Sequence, residues 1–390
     1  MKGALTQLSA FGAEDIPLMG DPEITFFKKT YKRHTNFAME SYQNQFIDIP
    51  AFGGTSVITI VRYSDLLSRL YFEVTLPHDE NLTDSYWTNR IGFNLIQRVE
   101  LYIGKKLIDR QYGLWMHIWS ELSHSTEMKS LLDMMVGTKY EDGYSNGLPC
   151  NVPHKLKIPL FFSFCRHSGL AIPMNAIRNN QDITLKFYFE KKENCIQYGR
   201  APYGDIVFPS IWGDYIYLDT EENRLYVQQP LEYLIEVVQH HEKNIASTGV
   251  KAIILPFTLP CKELFWAVYE KNKSGDKFTD FTNGMDSMVN SVQFKFNTKN
   301  VFSTGAKKNK YFNYIQPYQH HGKKPDLGIN CYSFSVFPEE LEPSGFIHFG
   351  HLDTAVMNIN SKKNGFIHIF GHCYNVLKIS GGNMDLAYKF

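Results

Sequence analysis

The sequence predicts an all-β protein made of two tandem copies of one unit, and three observations carry that prediction. In IQRVELYIGKKLIDR (residues 96–110), Val99, Leu101 and Ile103 alternate with Glu100 and Tyr102, and Gly104 closes the run. A period of two with a glycine stop is the pattern of a half-buried strand. The same design returns in VNSVQFKFNTKNVF: Val292, Phe294 and Phe296 follow Val99, Leu101 and Ile103 at a constant spacing of 193 residues, with Asn297 in the place of Gly104. The neighbourhoods match as well. SRLYFEVTLP precedes the first copy as CKELFWAVYE precedes the second, and IPLFFSFCRHSGLAIP is echoed by SFSVFPEELEPSGFIHF. Each echo leads into a last alternating strand, Ile183/Leu185/Phe187 and Ala355/Met357/Ile359.

Composition agrees with that class. A chain of 390 residues accommodates two or three ordinary domains. Its 29 Phe and 23 Tyr suit sheets and sandwich cores. Lys+Arg and Asp+Glu balance at 40 each, so no net field favours nucleic acid or an anionic surface. The six cysteines are scattered without a Cys-x-x-Cys pair, which predicts reduced thiols. No apolar run approaches the roughly 18–20 residues that span a bilayer, and the N-terminus has no continuous apolar signal segment. A soluble, intracellular protein is expected.

Taken in order, residues 1–24 are punctuated by Gly3, Gly12, Pro17, Gly20 and Pro22 and carry Leu5, Leu8, Phe11, Ile16, Leu18 and Met19. This spacing predicts an arm that orders against a partner rather than a flexible terminus. Pro22, Ile24, Phe26 and Phe27 lead into a basic cluster of Lys28, Lys29, Lys32, Arg33 and His34. The first unit is expected over residues 25–200, with strands in NQFIDIP, SVITIVRY, RLYFEVTL, RVELYIG, HKLKIPLFF and ITLKFYFE. One helix interrupts it. Ser125 or Thr126 caps it, Gly137 ends it, and Met128, Leu131, Leu132, Met135 and Val136 form one apolar stripe expected to cover the sandwich. A Gly/Pro-rich linker follows at 201–213, and the second unit is expected over 214–390, with loops at 270–284 and 305–328.

Chemistry is thinly represented. His240-His241 and His320-His321 are adjacent pairs, which on strands point to opposite faces. His348 and His351 would likewise fall on opposite faces of a strand, and His368 and His372 would lie roughly 13 Å apart. Nucleophile-elbow, phosphate-loop and His-Glu-x-x-His motifs are absent. Asp219, Glu221 and Glu222 read as polar residues where a strand ends rather than as a glycosidase pair. No catalytic, cofactor-binding or metal-binding residues are assigned.

The segment GDPEITFFKKTYKRHTNFAMES (residues 20–41) resembles the N-terminal signature of the major capsid proteins of nucleocytoplasmic large DNA viruses, with Asp21 where Asn is commoner. The resemblance continues through YGLWMHIWSEL, DYIYLDTEENR, LEYLIEVVQ and YNVLKISGGNMDLAYKF. It includes EPSGFIHFGHLDTAVMNI, where Gly350-His351 replace the family's Ser-Arg. The fold it implies is two tandem eight-stranded jelly-roll β-sandwiches, a double jelly roll, with an N-terminal arm and short helical insertions. The function it implies is a shell protein that forms homotrimeric, pseudo-hexagonal capsomers, located in the virion and assembled in the host cytoplasm. Neighbouring capsomers are implied partners. Minor capsid proteins and the internal viral membrane are expected to be met through Leu5, Leu8, Phe11, Ile16, Pro22, Ile24, Phe26, Phe27, Lys28, Lys29, Lys32 and Arg33. Direct nucleic-acid binding is not expected. Two other readings are a minor capsid paralogue and a tandem jelly-roll protein that binds or cleaves glycans. The glycan reading needs a cleft with two close carboxylates and exposed Trp platforms, whereas Trp115 and Trp119 sit in an apolar segment.

Overall fold

The computed structural model describes residues 3–138, 147–178, 180–270, 278–283 and 286–389. The chain divides into a small unit, Met1–Asn36, and a large one, Phe37–Phe390. The small unit holds helices over Gly3–Ser9 and Ile16–Met19, none of whose residues is buried. The segment expected as an arm, residues 1–24, lies within this unit, which continues to Asn36. Asp21 there has φ +48°, a left-handed conformation that Asn and Asp tolerate better than most residues.

Sixteen strands frame the large unit. The first eight are β1 (Phe37–Gln45), β2 (Thr55–Ile60), β3 (Leu66–Thr75), β4 (Ile96–Ile103), β5 (Lys106–Tyr112), β6 (Lys155–Pro159), β7 (Ile183–Phe189) and β8 (Val207–Leu218). The next eight are β9 (Leu231–Ile245), β10 (Gly249–Ile254), β11 (Pro260–Glu270), β12 (Val289–Phe296), β13 (Lys299–Asn300), β14 (Asn330–Ser333), β15 (Ala355–Ser361) and β16 (Gly365–Ser380). In the first sandwich the sheets run β1-β8-β3-β6 and β2-β7-β4-β5. In the second they run β9-β16-β11-β14 and β10-β15-β12-β13. Adding eight to each label of the first pair gives the second, so the topology is duplicated along with the sequence. Some short additional strands pair at the margins of these sheets, and others form separate two-stranded ribbons, Tyr86–Trp87 with Ile196–Tyr198 and Thr282–Asn283 with Asp286–Ser287.

The repeat spacing fixes equivalent core positions. Val99 and Leu101 in β4, and Val292 and Phe294 in β12, are all buried. Gly104 (φ +60°) and Asn297 (φ +53°) make the same left-handed turn after them, which Gly and Asn adopt at least cost. Phe72 packs 5.2 Å from Phe187, and its equivalent Trp266 packs 5.7 Å from Phe294. Each inner face is thus filled by aromatic pairs.

Several expectations need correction. The first strand is not NQFIDIP but Phe37–Gln45, mostly exposed at a sheet edge. The residues read as linker, and the start assigned to the second unit, contain β8, which pairs with β1 and β3 of the first sandwich. Consequently β7 and β15, read as last strands, are followed by β8 and β16. Residues 311–320, read as loop, form a π-helical turn over Tyr311–Ile315 that runs into a short helix, Gln316–His320. The other loop segment, 270–284, lies largely outside the described residues.

Among the described residues three longer helices are inserted: α1 (Gly113–Ser123), α2 (Thr126–Val136) and α3 (Thr220–Gln228). α2 has the predicted ends: the Ser125 hydroxyl accepts from Met128 N–H, and Gly137 follows at φ +78°. Its stripe is not a covering face, because only Leu132 and Val136 are buried while Met128, Leu131 and Met135 are exposed. α3 is capped by Asp219, which accepts from Glu222 N–H at 2.9 Å, so that acidic run is a helix start.

α1 begins at a tight backbone crossing. A Cβ on Gly113 would stand 1.9 Å from the Phe93 carbonyl oxygen and 2.3 Å from that of Ile96. Gly113→Ala is therefore expected to push α1 outward and to destabilise the fold by about 1–3 kcal/mol, read as a lower midpoint in urea unfolding. An unchanged midpoint would contradict this packing.

Candidate assembly surface

α1 leaves the first sandwich and lies on the outer face of the β9-β16-β11-β14 sheet of the second. Trp115 stands 5.2 Å from Phe265 and 5.7 Å from Phe370 between ring centres. Trp119 meets His372 at 4.7 Å, and the Arg166 guanidinium lies 4.6 Å over the Trp119 ring. Tyr112, at the end of β5, stands 4.5 Å from His240. Both indoles are only 2–3 % exposed. This aromatic joint holds one sandwich against the other.

Hydrogen bonds fix its register. On β9, Glu236 N–H donates to Ser163 Oγ and Val238 N–H to Asp109 Oδ1, each at 3.1 Å. Side chains of the first sandwich thereby cap an edge strand of the second, satisfying groups that would be costly to bury unpaired. Glu236 also receives Arg166 from the first sandwich and Lys262 from its own sheet. Losing one partner of such a buried pair strands the other charge, so the pair enforces this alignment.

Glu263, His321 and Cys331 cluster with ligand atoms within 4.8 Å of one another. Their chemistry is that of an ion pair. His321 Nε2 lies 2.8 Å from Glu263 and Nδ1 2.9 Å from Glu339, so both ring nitrogens donate and the ring is an imidazolium. Burial is the largest single influence and opposes that charge, but the Glu263 carboxylate and the hydrogen bonds to Cys331, Glu263 and Glu339 together outweigh it and raise the His321 pKa well above 6.5. Burial also pushes the Cys331 thiol up to about 12. Both ring nitrogens are engaged by carboxylates, so a metal would have to displace those contacts as well as the protons of the ring and the thiol.

All twelve residues expected to serve assembly lie in the small N-terminal unit, and all are exposed. Leu5 and Leu8 sit on its first helix and Ile16 on its second. The histidine pairs separate as follows. His240 stacks on Phe370 and on His368. His372 instead faces Trp119 and Glu236. His348 and His351, expected on opposite faces of a strand, are brought together by a 3₁₀ turn that stacks their rings at 3.9 Å.

A cleft of about 800 Å³ between the sandwiches is lined by Arg98, Tyr112, His240, Glu242 and Glu270 among others, with no Trp among its described residues. Trp87, Trp115, Trp119 and Trp266 are buried and Trp212 is half-buried. The platforms a glycan site requires are therefore missing from that cleft. The joint itself was not read from the sequence. Its available signal was the Tyr-x-x-Trp-x-x-x-Trp spacing of Tyr112, Trp115 and Trp119, which places both indoles on one helix face.

Burial at the joint sets its response to pH. His240 is held neutral down to about 3 and His368 down to about 4, in both cases chiefly by burial. His117, His124 and His372 are depressed for the same main reason. Between pH about 6.5 and 4 the unfolded chain binds these protons and the folded chain does not, so acidification lowers stability. Three groups act in the opposite sense, among them the Glu121 carboxyl of α1, raised chiefly by burial. Burial raises Asp109 to about 7, so its unfolded carboxyl loses a proton first and its contribution declines between pH about 4 and 7. His321 contributes fully below about 6.5 and loses its contribution as pH rises through its elevated pKa. Five neutral histidines outweigh these three. The unfolding midpoint is expected to fall between pH 6.5 and 4.5, and His240→Phe to flatten the slope by close to one proton. A flat profile would contradict the burial of the ring cluster.

Comparison with known proteins matches this architecture. The family model for the N-terminus of major capsid proteins matches residues 25–219, and that for the large eukaryotic DNA virus major capsid protein matches residues 222–384. The join between them follows β8, as the strand pairing does. The chain is 35 % identical to the major capsid protein of Pyramimonas orientalis virus and 30 % identical to that of Phaeocystis pouchetii virus, in both cases over 100 % of each chain. Among solved structures, the quasi-atomic capsid of PBCV-1 superposes with a TM-score of 0.83 at 25 % identity, covering 94 % of this chain and 100 % of that one. With matching models over both halves and full-length relatives, this chain belongs to the major capsid protein family of large eukaryotic DNA viruses and has that family's double jelly roll.

Proposed function

We propose that the chain works as a shell subunit that closes into a homotrimer of six sandwiches, and that these capsomers pack side by side over an icosahedral surface. The observation that carries this reading is the asymmetry of the joint. One sandwich offers a helix and the other an outer sheet face, so the contact is head-to-tail. Repeated from chain to chain, such a contact generates either a closed ring or an open filament. Three chains of two sandwiches give six near-equivalent lobes, a shape that tiles a flat facet.

The exposed N-terminal unit supports a second layer of contacts. Leu5, Leu8, Phe11, Ile16, Ile24, Phe26 and Phe27 provide apolar area for neighbouring capsomers or minor capsid proteins. Lys28, Lys29, Lys32 and Arg33 provide positive charge for an internal membrane. Assembly in the host cytoplasm fits free cysteines, five of six buried. The role is one of contact geometry, without catalytic turnover and without direct nucleic-acid binding.

The native mass of the purified chain tests the reading. Three chains per particle, stable on dilution to micromolar concentration, is the expected result, and a single chain would overturn it. Removing residues 1–36 is expected to leave the trimer and its melting temperature unchanged while abolishing larger assemblies. Loss of the trimer on that truncation would refute the assigned role of the arm.

A further inference from the structure

The second sandwich carries its own copy of the joint helix, and that copy is uncovered. YGLWMHIWSEL, from Tyr112, aligns with YFNYIQPYQHH, from Tyr311, at a spacing of 199 residues. Tyr112, Trp115 and Trp119 then match Tyr311, Tyr314 and Tyr318. Both segments lie between the equivalents β5 and β6 in one sandwich, and β13 and β14 in the other. At the four positions Trp115, Met116, Trp119 and Ser120 the first copy is buried. At the matching Tyr314, Ile315, Tyr318 and Gln319 the second copy is exposed, Tyr318 to 81 %.

The target of the helix is duplicated too. In the covered sheet Phe265 pairs with Phe370 across β11 and β16. The equivalent pair in the first sandwich is Tyr71 and Trp212 across β3 and β8. The neighbouring Phe72 and Trp266 both point into their own cores, so Tyr71 and Phe265 share the outer face. Tyr71 and Trp212 stack with ring planes 4° apart and are only half-buried. Arg69 and Asp214 occupy the places of Glu263 and His372 beside them. The chain therefore ends in one unmatched helix and one unmatched face of the kinds that already fit together inside it.

The geometry points to a chain-to-chain joint in which Tyr314 and Tyr318 of one copy dock on the Tyr71–Trp212 face of the next copy, repeating the contact of Trp115 and Trp119 with Phe265 and Phe370. This inference rests on the head-to-tail reading above and names its residues. Tyrosine suits the position, since its ring buries well against an aromatic face while its hydroxyl tolerates water before assembly.

A mixing experiment on the full chain tests it. Tyr318→Glu removes the helix side and keeps the face, whereas Tyr71→Glu removes the face and keeps the helix. Each variant alone is expected to sediment as a single chain. An equimolar mixture has one intact joint per pair and is expected to give a two-chain species but no trimer. Arg69→Trp crowds the same face from an exposed position and serves as a second face variant should Tyr71→Glu fail to fold. A Tyr318→Glu chain that keeps the three-chain mass overturns this joint while leaving self-assembly standing. A mixture that stays single-chain overturns it as well. A wild-type chain that is itself single overturns both readings.

Discussion

The indoles of Trp115 and Trp119 are presented by a helix of one sandwich and buried by a sheet of the other, and the relation between the two halves follows from that placement. Large aromatic side chains remove roughly 150–250 Å² each from water, about 4–6 kcal/mol at ~25 cal/mol/Å². This area comes from one helix face meeting Phe265, Phe370 and His372. The polar contacts around it, Asp109 to Val238 N–H and Arg166 to Glu236, add alignment more than net energy. Gly113 lets the helix start close against residues 93–96, and the position of both indoles depends on that close start.

Duplication gives each half the same parts, and divergence assigns them different surroundings. The position of Gly113 becomes Phe312, which is buried beside Trp266 and helps fill the second core. Trp115 and Trp119 become Tyr314 and Tyr318, and Phe265 and Phe370 have Tyr71 and Trp212 as counterparts. Where the contact is permanent the residues are mostly purely apolar or fully enclosed. At the helix and face proposed to join one chain to the next they are mostly tyrosines. That difference follows the ordinary contrast between a core and an interface.

Much of the fold was legible because the alternating strands bury one face and expose the other. Val99/Leu101/Ile103, Val292/Phe294 and the Gly104–Asn297 equivalence are the clearest cases. The ends of α2 were readable from Ser125 and Gly137. β1 was not, since FAMESYQNQ is an edge strand with no alternating burial to record. β8 was hidden by Pro209 and Gly213 inside a strand whose partners lie far away in sequence, and its path carries a bulge. The helix near residue 316 was masked by flanking lysines and by Pro317, although proline is well tolerated in a first helical turn. Of the N-terminal unit, the run of exposed apolar side chains from Leu5 to Phe27 was visible from composition. The joint was not, because no local pattern states which face of one sandwich meets the other.

Calorimetric unfolding of a Trp115→Ala/Trp119→Ala chain tests most directly whether that joint makes the two sandwiches one cooperative body. The account predicts a single transition for the wild-type chain and two resolved transitions for the variant, with the sandwiches melting separately. One unbroken transition in the variant, at a midpoint close to that of the wild type, would contradict it.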